Sequence, residues 1–375
     1  MPYKVYLKKG EDRRIKDGHV WVYANEVARI EGKDKNGSLA TVFSFDGKFI
    51  GKGYINHLSK ILVRIFVRDE QVLANDDDKI QSDEERVMYM ERISRANEMR
   101  RALGYDNCYR VVFAEADDIP ALIVDKYADI LVMQCLSLGI EKRKQMIVDC
   151  LIKLFAPKGI YERSDVAVRL KEGLEEKCGV LYGEVPDKVI IDENGIKLAV
   201  DIKHGQKTGY FLDQKENRFA ARRYAHGDIL DCFCNSGGFT LNCALTADSV
   251  TAVDISKSAL DSVNENAALN GFTNITTECG DVFEVLRKYK AENKRFDTVI
   301  LDPPAFCKSA AEVKDAYRGY KDINILGMKI VRSGGYLISS SCSHYMTMPL
   351  FEKMLIEAAK ESGRTVRYVE IKTQA

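Results

Sequence analysis

The chain has 375 residues, enough for two or three domains that each bury a core, so a single domain is not expected. Lys plus Arg and Asp plus Glu number 56 each, so no net field announces a polyanionic partner and any nucleic-acid surface has to be local. Ten scattered cysteines without a CxxC pair, and five histidines, argue against a metal site or a disulfide framework; free thiols without an apolar leader or a bilayer-length apolar run point to a cytoplasmic protein with no membrane partner.

Residues 1–72 read as short strands at 4–8, 21–23, 38–44, 49–56 and 61–67. The breaks hold Gly10, Gly18, Gly32, Asn36-Gly37 and Asp46-Gly47, and Asn-Gly or Asp-Gly between apolar runs is a strong hairpin cue. A small β-barrel is the economical reading. Residues 1–70 hold fourteen basic against nine acidic side chains. Lys8, Lys9, Arg13 and Arg14, just before His19 and Trp21, suit a basic, partly aromatic RNA face, but composition alone favours a solvated charged loop beside a core tryptophan.

The acidic stretch 75–79 reads as a linker. Ser82 with Glu85 three residues on resembles a capping box, opening a helix that runs to about 103. Strands follow at 111–115, 122–125 and 130–136, then a helix over 141–155 stopped by Pro157, and a strand at 160–162. This order predicts an α+β middle domain over 73–187. Its polar tags, YERSD from Tyr161 and Glu172-Gly173-Leu174, carry no derivable chemistry and are assigned to folding.

From about residue 188 the pattern changes. A hairpin at 189–192 and 196–202 turns on Asn194-Gly195 and leads into HGQKTGYFLDQKENR. Strands at 229–233, 249–254, 275–279, 298–301, 336–339 and 367–371 then alternate with helices at 239–247, 258–270, 283–292, up to about 331, and 349–362. Regular alternation of this kind predicts a doubly wound α/β domain, a mostly parallel sheet with helices on both faces, over 188–375.

The ends of these strands carry the chemistry. FDTVILDPPAF is a buried strand delivering Asp302 ahead of two prolines that cannot extend a ladder, and GGYLISSSCSH has the same form with Cys342 and His344 at its exit. Ligands of open α/β sheets sit outside the carboxyl ends of strands. The first strand exits through DCFCNSGGF, where glycines admit a close ligand, but the GxGxxG of a dinucleotide site is absent, which disfavours an NAD-linked oxidoreductase. Asp254 ends the second strand, where a carboxylate can accept from both ribose hydroxyls, and Asp281 and Asp302 follow the third and fourth. With Asp231, four acids at successive strand ends suit an adenosine ligand with a cationic far end and repel phosphates. S-adenosylmethionine (SAM) fits; a nucleoside triphosphate does not. The competing reading is that each acid caps the next helix.

KTGYFLDQ, DCFCNSGGF, DIS, GD, DPPAF and SCSH occur in the order seen in class I methyltransferases, and together most closely resemble the bacterial large-subunit ribosomal RNA cytosine-5 methyltransferases. GHVWVY and GKGYIN resemble that family's PUA domain, and AEADDIPALIVDKY, IYERSD and EGLE its middle domain. The resemblance covers nearly the whole chain. It implies a Rossmann-like class I methyltransferase domain behind a PUA barrel at 1–72 that binds RNA, with 23S ribosomal RNA or a precursor particle as partner. Oligomeric state stays open, a homodimer being one arrangement.

Residue by residue, the resemblance implies that Asn235, Gly237, Asp254, Ser256, Asp281 and Asp302 line the SAM pocket, closed by Thr208, Tyr210 and Asp213. Cys342 becomes the nucleophile and Asp302 a group that holds or protonates the ring. A thiol has an independent rationale: carbon 5 of cytosine is a poor nucleophile until a thiolate adds at carbon 6. Phe306 either stacks on a flipped base or plugs the sheet edge, whereas Cys232, Cys234 and Cys243 are expected in the core. The sequence departs from the two-cysteine pattern of RNA cytosine-5 methyltransferases, having Pro303-Pro304 where a Pro-Cys is sought; Cys307 is not given the release role, and water or His344 remains as base. The family also continues with a final hairpin after the strand expected at 367–371. Two other readings stay open: nitrogen methylation of a guanine, favoured by DPPAF, and a noncatalytic RNA-binding or ribosome-assembly factor.

Overall fold

The computed structural model describes residues 2–74 and 78–375; of the linker expected at 75–79, residues 75–77 lie outside that range and Asp78 already opens a helix. The chain divides into two compact units, Met1–Ile191 with Val200–Tyr210, and Asp192–Ala199 with Phe211–Ala375.

In the first unit six strands, β1 (Tyr3–Leu7), β2 (Trp21–Tyr23), β3 (Val27–Glu31), β4 (Leu39–Phe43), β5 (Phe49–Ile55) and β6 (Ile61–Val67), pair in the order β2-β6-β5-β4-β1-β3. Val5, Leu7, Val22, Val42, Ile55, Val63 and Ile65 meet in one buried cluster. Within this sheet region the structure adds α1 (Arg13–Lys16) and β3, whose VARIE sequence is exposed along most of its length and shows no buried face. The unit continues with α2 (Asp78–Ala102), β7 (Cys108–Phe113), β8 (Leu122–Tyr127), β9 (Ile130–Cys135), α3 (Leu138–Phe155), β10 (Gly159–Ser164) and β11 (Lys177–Gly183), in sheet order β11-β10-β9-β8-β7. The capping box is corrected: Ser82 lies inside α2, and Glu85 is buried in a bidentate pair with Arg143 of α3 at 2.9 and 3.0 Å.

Tyr54, Phe66 and Val67 of the first sheet share a core with Tyr89 and Ile93 of α2, Val111 of β7 and Leu131 of β9. The polar tags have structural partners here. Glu172 accepts from Arg64, Asn56 and Ser59, and Glu162 pairs with Lys144.

A hairpin of β12 (Lys188–Glu193) and β13 (Ile196–Asp201) turns through Asn194 and Gly195, both at positive φ as a two-residue type I′ turn requires. The second unit follows with α4 (Lys215–Ala221), β14 (Asp228–Cys232), α5 (Gly238–Ala244), β15 (Ser249–Asp254), α6 (Lys257–Leu269), β16 (Ile275–Cys279), α7 (Val282–Ala291), β17 (Phe296–Leu301), α8 (Val313–Ile330), β18 (Val331–Ser339) and α9 (Met348–Ser362). The five strands are parallel in the order β16-β15-β14-β17-β18. Register brings Cys232 opposite both Val253 and Leu301, and Leu301 opposite Ser339, so the carboxyl ends form one rim. The order reverses at β14, which places the ends of β14 and β17 at the switch point where such sheets hold ligands. The strand expected at 367–371 does not form. Residues 364–375 have no regular structure, and Val369 and Ile371 are exposed; short apolar alternation without a ladder partner does not make a strand.

Candidate active site

The loop leaving β14 is bent by three left-handed residues, Phe233 (φ 61°), Asn235 (φ 49°) and Gly237 (φ 87°). Two of them carry side chains, a strain that persists where surrounding structure over-determines it. At Gly237 a Cβ would lie 3.2 Å from Val263 of α6, so a side chain would be strained in both backbone and space. The bend turns the Asn235 amide toward Asp254 at the end of β15: Oδ2 accepts from Asn235 N at 3.0 Å and Oδ1 from Ser256 N at 2.9 Å. Each oxygen retains a lone pair for a ribose hydroxyl. Ser256 caps α6 by accepting from Ala259 N, and Asp281 caps α7 by accepting from Glu284 N at 3.1 Å. The capping reading is therefore literally true of Asp281.

Asp231 is fully buried under this rim. One oxygen accepts from Thr240 Oγ1 at 2.6 Å, and Oδ1 has no partner among the described residues. Burial, with the nearby charges of Asp302 and Asp254, pushes its carboxyl up to about 7. Carboxylates that oppose one another's ionisation, beside an unsatisfied buried acceptor, suit a cation and repel phosphate. The residues present fit SAM in their chemistry: carboxylate acceptors suit ribose hydroxyls, and an acid cluster suits a sulfonium.

Asp302, half-buried, follows β17 directly. Gln214 Nε2 donates to its Oδ1 at 3.1 Å, a contact the sequence reading did not assign although Gln214 closes the KTGYFLDQ motif. Cys342 lies in the loop after β18. It is exposed, and its Sγ approaches the carbonyl of Pro303, the residue after Asp302, at 3.7 Å. The two loops are tied by buried Ser343, whose Oγ accepts from Cys307 N at 3.1 Å and bonds Tyr320 OH at 2.9 Å. Cys232, Cys234 and Cys243 are buried, and burial pushes their thiols far above the usual range. Cys307 is buried as well. His344 is exposed two residues beyond Cys342. Phe306 is half-buried, its ring 4.7 Å from Tyr320.

Of the expected closing residues, Asp213 belongs to the second unit, and its carbonyl accepts from Ala375 N at 2.9 Å. Thr208 and Tyr210 belong to the first, where both are buried; Thr208 Oγ1 donates to Asp125 at 2.6 Å and Tyr210 N to Tyr127 OH at 3.3 Å. Lys8, Lys9, Arg13 and Arg14 are exposed, but Arg14 is paired with Glu26 at 2.5 Å and Lys8 Nζ donates to Asn25 O.

The parallel sheet, the β14 switch point and the acid-lined rim define a class I SAM-dependent methyltransferase. A family profile described as S-adenosylmethionine-dependent methyltransferase matches residues 162–372, and one described as a PUA-like domain matches residues 5–68. "Ribosomal RNA large subunit methyltransferase I" of Vibrio cholerae is 41% identical over 382 residues, covering 99% of this chain and 93% of that protein. Its Aeromonas hydrophila counterpart is 39% identical over 385 residues, covering 100% and 94%. A Streptococcus mutans structure shares the fold with TM-score 0.75 at 20% identity, covering 96% of this chain and 90% of its own, and a second, complexed with SAH, gives 0.76 at 19% over the same shares. The chain belongs to the ribosomal RNA large subunit methyltransferase I family.

Proposed function

We propose that the chain forms 5-methylcytosine in 23S ribosomal RNA, free or within a precursor particle, through a covalent adduct of Cys342 at carbon 6. The observation that carries this reading is the exposed Cys342 thiol at 3.7 Å from Pro303 O, beside Asp302, while the cysteines around β14 are buried. Support for the substrate class comes from the PUA-like segment and from the names of the relatives.

SAM supplies a methyl group on a sulfonium. Asp254 holds the ribose, and the Asn235–Gly237 bend lets the backbone approach. Cys342 gives up its proton to water and adds as a thiolate to carbon 6, while Asp302 protonates nitrogen 3 and so neutralises the charge that the addition puts on the ring. The resulting enamine makes carbon 5 nucleophilic enough to take the methyl. His344 or a water then removes the carbon 5 proton, Asp302 takes back the nitrogen 3 proton, the carbon–sulfur bond breaks, and the thiolate leaves. Lys9 and Arg13, with Lys8 and Arg14, form the basic part of the RNA face, and Phe306 buttresses the Asp302 loop against Tyr320.

Incubation with SAM and RNA containing 5-fluorocytosine is expected to trap a covalent complex, because fluorine cannot leave as a proton does, and Cys342→Ala is expected to abolish it. Retention of the adduct in that variant removes Cys342 from the mechanism. An active Cys342→Ala enzyme whose digested RNA shows an N-methylated guanosine by mass spectrometry establishes nitrogen methylation instead.

A further inference from the structure

Gln214 occupies the N-cap of α4, where a polar side chain ordinarily accepts from the backbone of the first turn. It makes no such bond. Its amide instead reaches across 88 residues of sequence, Nε2 donating to Asp302 Oδ1 at 3.1 Å. The other half of the amide is fixed too: Asn217 Nδ2 donates to Gln214 Oε1 at 2.6 Å. A flipped amide would set oxygen against carboxylate and NH2 against NH2, so the two bonds define a single orientation. Asn217 lies three residues on, on the same face, so the helix itself aims the amide.

We propose that Gln214 is a positioning residue for Asp302, holding the carboxyl plane and confining its proton to Oδ2. A hydroxyl oxygen accepts an N–H less well than a carbonyl-like oxygen, so the proton avoids the oxygen that Gln214 holds. The acid that protonates nitrogen 3 then has one proton position rather than two. Titratable groups lie near Asp302 on two other elements: Asp231 at the end of β14, whose charge Asp302 opposes, and Cys342 after β18, against Pro303 O. Gln214 adds a neutral donor to Oδ1 alone, so the proton that Asp302 delivers sits on Oδ2.

The inference rests on the cytosine carbon 5 reading. Adduct trapping with 5-fluorocytosine RNA and tritiated methyl transfer are measured over roughly pH 5 to 9. Wild type is compared with Gln214→Leu and Gln214→Glu, the second being nearly isosteric in case the first folds poorly. Gln214→Leu is expected to lower the maximal single-turnover rate roughly tenfold with unchanged KM for SAM and RNA. It is also expected to move the Asp302-dependent limb up by about one pH unit, since a donor to the ionised form is lost. Gln214→Glu is expected to move the limb further, because two carboxyls then share a proton. A limb unmoved in both variants, or a rate loss that only tracks KM, overturns the role of Gln214. Failure of wild type to trap RNA overturns the carbon 5 reading itself, a separate result.

Discussion

Asp231 carries a cost that its neighbours do not, because it is sealed beneath the rim with one oxygen lacking a partner among the described residues. Its folded-state value of about 7 stands above the ordinary unfolded one, so the native state keeps a proton that the unfolded chain loses first. The stabilisation is fully present below about pH 4 and lost as pH rises toward about 7, on the order of a few kcal/mol. Asp231→Asn keeps an acceptor for Thr240 and is expected to flatten that slope and to gain on wild type above pH 7. Urea midpoints of both proteins at acidic and alkaline pH check this; parallel slopes would remove Asp231 as their source. Asp254 and Asp302 were legible in the sequence because a strand followed by an acid is a local pattern. Gln214 was not, since its partner lies 88 residues away. Nor did the motif reveal that Thr208 is hydrogen-bonded to Asp125, 83 residues before it.

Among the elements, α4 holds the Asp213–Gln214 segment in place through Arg218, whose guanidinium is buried and bidentate to Glu193 at 2.6 and 2.6 Å and also donates to Phe211 O at 2.9 Å. Removing one member of such a pair leaves a buried charge uncompensated. Arg218→Leu is expected to cost about 3–5 kcal/mol in the second unit, and the double variant with Glu193→Leu to recover much of it. Chemical denaturation of the four proteins checks the cycle, and strictly additive losses would show the pair uncoupled. Elements whose apolar pattern matched their burial were readable: β2, β6, β15 and β16 have the predicted bounds. β3 and β11 were missed because their residues are largely exposed and carry little periodicity. α2 starts ahead of its expected cap because Glu85 answers to Arg143, a tertiary partner that no local rule contains.

At the scale of the whole molecule, the PUA-like sheet and the α2–α3 layer belong to one compact unit, and the reason is chemical. β5 and β6 are buried at nearly every position, so both of their faces are covered. One face contributes Ile55, Val63 and Ile65 to the cluster with Val42, and the other contributes Tyr54, Phe66 and Val67 to a core completed by Tyr89 and Ile93. Excising the sheet would expose that second face to water. The chain's single tryptophan reports on this coupling, since Trp21 sits on β2 and donates through Nε1 to Glu115 at 2.8 Å. Ile93 is fully buried in α2, outside the sheet, and Ile93→Ala is expected to cost about 2–5 kcal/mol through the cavity it leaves. If sheet and helical layer unfold as one, the Trp21 fluorescence transition must register that loss, with Tm falling by roughly 5–10 °C. A sheet that unfolds independently would keep its Trp21 midpoint while circular dichroism showed the helices melting early. Because Trp21 also bonds Glu115 outside the sheet, Trp21→Phe with a tryptophan placed elsewhere in the sheet separates the shared core from that single contact.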